Sequence, residues 1–152
     1  MIDDLGSPAY AQAIFPSSVT WDPSGNSIWV GFTVTDNTDD RIYEYDIPTD
    51  TWHHRATLTG NFDLAFRGSE PYVSGNASGL GGADNAILKL DTSGADLHDI
   101  IVEIGGFSAG LDFDSAGNLY YGSTFVPGGD GLYRFDGTDL DTAIGTGNLL
   151  AG

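Results

Sequence analysis

Apolar residues in this chain gather in short runs broken by Asp, Gly and Ser, and the runs recur in a fixed order. Arg41-Ile42-Tyr43-Glu44-Tyr45-Asp46, Ala86-Ile87-Leu88-Lys89-Leu90-Asp91 and Gly131-Leu132-Tyr133-Arg134-Phe135-Asp136 start 45 residues apart, and each ends apolar, apolar, polar, apolar, Asp. Upstream of them stand Val19-Thr20-Trp21, Leu64-Ala65-Phe66 and Leu111-Asp112-Phe113. Between lie Ile28-Trp29-Val30, Pro71-Tyr72-Val73 and Leu119-Tyr120-Tyr121. A fourth, weaker segment follows each Asp: Trp52 to Leu58, Leu97 to Ile104 and Leu140 to Ile144. Short runs rich in aromatic and β-branched residues predict strands. Inner runs such as Ile28-Trp29-Val30 are continuously apolar, the pattern of strands covered on both faces.

Four strands per 45 residues is the blade period of a β-propeller. The expected fold is all-β, with three four-stranded antiparallel blades. Residues 16–60 form blade 1, 61–106 blade 2 and 107–152 blade 3. Residues 1–15 read as the outer strand of an incomplete preceding blade, and Asn148-Leu149-Leu150 as the start of a following inner strand. The link between the first two strands is Asp22-Pro23-Ser24-Gly25-Asn26 in one unit and Asp114-Ser115-Ala116-Gly117-Asn118 in another, a shared D-x-x-G-N. Asp can accept from backbone amides across such a turn, and Gly takes the positive φ. The middle unit carries a degenerate version, Arg67-Gly68-Ser69-Glu70-Pro71. With these turns the chain resembles the six-bladed propellers of the NHL-repeat and gluconolactonase-like superfamily, over nearly its whole length. The resemblance implies half of a six-bladed ring, and bears on fold more than on activity.

Three blades do not close a ring, and such an arc would show an apolar face at each end. Two copies arranged head to tail would close six blades as a homodimer. The alternative is that the rest of a longer polypeptide supplies the missing blades.

Charge narrows the partners. The 152 residues carry 22 acidic and 5 basic side chains, a net charge of −17, which excludes nucleic acid because phosphate neutralisation needs Lys and Arg. No apolar run approaches the roughly 20 residues that span a bilayer, so membrane insertion is not expected. Met1 to Phe15 holds two acids and no base, so it is not a signal peptide as written. The chain has no cysteine. The composition fits an extracellular or periplasmic setting.

Candidate chemistry lies in the long loops between second and third strands, at the mouth of the presumed channel. Asp36, Asp39 and Asp40, with Asp84 and Asp130 in the later loops, offer hard oxygen atoms, and Ca2+ takes 6–8 of these in loose geometry. Asp36, Asp39 and Asp40 are the metal candidates. Ser17, Ser18, Asn61, Asp63 and Ser108, at the start of inner strands, face the axis; Asn61, Asp63 and Ser108 are candidate ligand-binding residues. Trp52 and Phe125 are the aromatics expected to be exposed, where either could stack on a sugar or anchor a partner. Trp21, Trp29, Tyr43, Tyr45, Tyr72, Tyr120, Tyr121 and Tyr133 are expected in packing between blades. His53 and His54 point to opposite faces of one strand and cannot share a metal. The resembled lactonases hold a divalent ion with an inner Glu, Asn and Asp; no Glu stands in an inner strand here, and Glu44 falls on a third strand. The expected function is a non-catalytic extracellular module for Ca2+-assisted glycan or protein binding. The alternatives are a metal-dependent hydrolase or lyase of the gluconolactonase-like type, and a structural arc of a larger assembly.

Overall fold

The computed structural model describes residues 14–34, 40–58, 60–75, 86–90, 98–103, 107–124, 131–146 and 150–151. Among them the chain is mostly β, in three sheets with one helix. The first sheet is an antiparallel meander of β1 (Ile14–Trp21), β2 (Ser27–Val34), β3 (Asp40–Asp46) and β4 (Thr51–Leu58). The second runs β5 (Asn61–Arg67), β6 (Glu70–Gly75), β7 (Ala86–Leu90) and β8 (His98–Glu103). The third holds β9 (Phe107–Phe113), β10 (Leu119–Thr124) and β11 (Gly131–Phe135), followed by α1 (Gly137–Thr146). A last strand, β12 (Leu150–Ala151), joins the second sheet parallel to β8.

The second sheet lies between the other two, and this explains its apolar character. One face presents Leu64, Val73, Leu88 and Leu90 to Trp29, Ile42, Ala56 and Leu58 of the first sheet. The other presents Ala65, Tyr72 and Ile87 to Leu111, Leu119, Tyr121 and Phe135 of the third. Covering both faces requires apolar residues at consecutive positions, and β6 is buried from Pro71 through Gly75. Each large aliphatic chain so covered contributes about 1.5–3 kcal/mol. The first strands of the three sheets adjoin, with β5 flanked by β1 on one side and β9 on the other.

The D-x-x-G-N turns form as the sequence predicts. Gly25 N–H and Gly117 N–H donate to the carbonyls of Asp22 and Asp114, at 2.8 and 2.9 Å. Gly117 has φ +80°, a conformation that costs an L-residue about 1 kcal/mol or more. The Asp114 carboxylate accepts from the amides of Ala116 and Asn118 and from the Asn118 side chain. These bonds, the Asn118 side chain foremost, hold its carboxyl below the usual value.

Several expectations need correction. Among the described residues the sheets are not uniformly four-stranded: the second has five strands and the third has three. Where a fourth strand was expected over Leu140 to Ile144, the chain forms α1. Leu140 and Ala143 are one helical turn apart and both buried in the core shared by the second and third sheets, and Asp139 lies in the first turn where the helix dipole favours an acid. Leu150 does not open a following inner strand; it pairs with Val102 on the outer edge of the second sheet. Ile14 and Phe15 belong to β1, paired with Val34 and Thr33, rather than to a preceding outer strand; residues 1–13 lie outside the described residues. Trp21 is 55% exposed rather than packed between sheets, because no described sheet covers that face of β1. Trp52 is half-buried rather than exposed, its ring against Phe32, Tyr43 and Tyr45.

Candidate functional site

Two polar clusters form where sheets meet, at opposite ends of the strands. The first lies where β1, β2 and β3 meet the start of β5. Asn61 is 2% exposed, and both atoms of its amide are committed: Nδ2 donates to the Phe32 carbonyl at 3.0 Å, and Oδ1 accepts from the Ser17 hydroxyl. Gly31 makes room for it, since a Cβ there would overlap the Asn61 amide. Asp40 is 1% exposed at the head of β3. Its carboxylate accepts from the Thr33 hydroxyl at 2.9 and 3.0 Å and from the Asn61 N–H at 3.2 Å. A buried carboxylate is tolerable only with such donors.

Asp63 performs the corresponding tie one sheet on. It is half-buried, and Oδ2 accepts from the Leu111 N–H of β9 at 2.8 Å while Oδ1 accepts from Leu64 N–H. Asn61 therefore bridges the first and second sheets, and Asp63 the second and third. Ser108 lies on β9 opposite Ser123. Asp36, Asp39 and Phe125 fall outside the described residues, as do most of the later loops. His53 and His54 sit opposite Glu44 and Tyr43, hence on opposite faces of β4. Glu44 is held by Arg55, whose guanidinium lies 5.9 Å above the Trp29 ring. Among the described residues no three His, Cys, Asp or Glu side chains converge as a metal group.

The second cluster was not anticipated from sequence. Arg67 occupies the position held by Asp22 and Asp114 in the other units, and reaches from β5 into the third unit. Its guanidinium pairs with Asp141 of α1 and donates to the Gly137 carbonyl at 3.1 Å. Cβ atoms at Gly117 or Gly137 would each come within 2.9 Å of it. The Asp141 bond raises the guanidinium's pKa and lowers that of the carboxyl. Asn118 completes the cluster by accepting the Gly137 N–H at 3.1 Å. An open depression of about 320 Å3 lies beside it, lined by Arg67, Asn118, Asp136, Thr138 and Asp141 among others. The signal in the sequence was the departure itself: one of the chain's 5 basic residues replaces the turn Asp. Tyr72, buried nearby between Glu70 and Arg67, has its hydroxyl pKa pushed up to about 12, chiefly by burial.

No protein-family model, curated protein or solved structure matches the chain.

Proposed function

We propose that this chain is a three-blade arc of a β-propeller, working outside the cytoplasm as a non-catalytic module that binds a glycan or protein with the help of Ca2+. The observation that carries the arc is the second sheet, covered on both faces by its neighbours with its first strand between theirs. Sheets that meet face to face and converge at their first strands are the architecture of propeller blades. Binding is favoured over metal-dependent hydrolysis because Asn61 and Asp63, the inner-strand polar residues from which a hydrolase of that type would draw metal ligands, already accept or donate within the protein. The acidic loop before Asp40, through Asp36 and Asp39, then supplies the oxygen donors for Ca2+, because the Asp40 carboxylate is already engaged by Thr33 and Asn61.

A thermal-shift comparison in Ca2+, Mg2+ and EDTA tests this reading. Ca2+ at about 100 times its dissociation constant stabilises the native state by about 2.7 kcal/mol, a rise of several degrees. Asp36→Asn and Asp39→Asn are expected to abolish the rise. No Ca2+ effect removes the ion from the reading, whereas loss of the effect in Asp63→Asn alone moves it to the inner strands and revives the hydrolase.

A further inference from the structure

Each junction between sheets is built around one aromatic pair. At the first, the Trp29 ring meets Phe66 edge-on with centroids 5.5 Å apart. At the second, Tyr72 meets Phe113 at 4.9 Å. Strand register makes these the same pair. Trp29 and Tyr72 are the middle residues of the cross-strand rows Thr20–Trp29–Glu44 and Ala65–Tyr72–Lys89. Phe66 and Phe113 each follow by two residues the apolar rows Leu64–Val73–Leu88 and Leu111–Tyr121–Tyr133.

The two outward faces carry the unmatched halves. On the third sheet, the row Asp112–Tyr120–Arg134 repeats the Trp29 and Tyr72 rows, and Gly122–Leu132 beside it repeats Gly31–Ile42 and Ser74–Ile87. On the first sheet, Val19–Val30–Tyr43 repeats the apolar rows, and Trp21 stands where Phe66 and Phe113 stand. Val30 and Tyr43 are covered within the first sheet by Phe32 and Trp52, but the end positions of the outward rows differ sharply in exposure from their inward counterparts. Ile42 and Ile87 are 0% exposed but Leu132 is 74%; Leu64 and Leu111 are 3% and 5% but Val19 is 69%.

We infer that the outward face of the first sheet binds the outward face of the third sheet of a second copy of this chain, with Trp21 seated against Tyr120. The inference rests on the propeller reading above. The two faces differ, so the contact is head to tail, and such contacts either close a ring or continue as a filament. Propeller rings hold roughly 4 to 8 blades, so two three-sheet arcs joined in this way suffice to close one.

Light scattering on the eluting protein tests this, with the mass of two protomers expected. Trp21→Asp and Leu132→Asp each strike one face, and both side chains are exposed in the protomer, so circular dichroism melts should show each variant folded. Alone, each variant is expected at one protomer mass, since both contacts of its ring are damaged. Mixed in equal amounts, they regain the two-protomer mass, because one undamaged first-sheet face then meets one undamaged third-sheet face. A wild type of single-protomer mass overturns the inference, as does a dimer that survives both substitutions or a folded mixture that stays single. The arc reading falls separately: a Trp29→Ala, Phe66→Ala double-mutant cycle with no coupling would remove it whatever the mass.

Discussion

Gly117 and Gly68 share a backbone conformation but not a neighbourhood. Both have positive φ, +80° and +61°. Nothing lies within 4 Å of a Cβ built on Gly68, whereas one on Gly117 meets the Arg67 Nε at 2.9 Å. Gly68→Ala should therefore cost only backbone strain, about 1 kcal/mol. Gly117→Ala adds the displacement of a guanidinium anchored to Asp141 and should cost distinctly more, read as the difference in urea midpoints at constant slope. Equal losses would mean that Arg67 is not confined there. The D-x-x-G-N spacing made the turn legible in the sequence, because Asp and Gly act locally. The role of Arg67 was not legible, because its partners Gly137 and Asp141 lie some 70 residues away and belong to a helix that the repeat did not suggest.

The elements were readable where one rule governs them. Every apolar triplet at the 45-residue period became a strand, since aromatic and β-branched runs suit a pleated surface even where, as at Val19, Trp21 and Leu132, the side chain is exposed. The rule failed at the fourth position of the third unit, where the repeat argued for a strand and the local spacing of Leu140, Ala143 and Ile144 argued for a helix. Local spacing prevailed because α1 buries Leu140 to 0% exposure without needing a paired edge. Leu140→Ala should cost about 2–5 kcal/mol, the range for a fully buried leucine, and calorimetry would register it as a lower melting temperature. A loss below about 1 kcal/mol would mean that the helix contributes no packing to the core between the second and third sheets. The candidate site was less legible than the elements. Asn61 and Asp63 were identified as inner-strand polar residues, but which groups they bond depends on adjoining strands that no local pattern specifies.

For the whole molecule, Tyr72 links folding to pH. Its hydroxyl is pushed up to about 12 by burial at the junction of the second and third sheets, against an ordinary value of 10.0. Between these values the unfolded chain releases the proton and the native chain keeps it, so the unfolded state gains as pH rises. The contribution of Tyr72 is complete below pH 10 and falls away as pH climbs towards 12. Urea melts across that interval should show stability falling, and Tyr72→Phe should flatten the fall. An unchanged slope in the variant would assign the alkaline loss to other groups. The short strand β12 has a consequence of a different kind. By pairing Leu150 and Ala151 with Val102 and Glu103, it fastens the far end of the third unit to the strand that precedes that unit. The third sheet is thus tethered at both of its ends, like a drawer on two rails. Separation of the third sheet from the second would therefore leave it within reach, and its return would be an intramolecular event rather than the recapture of a loose flap.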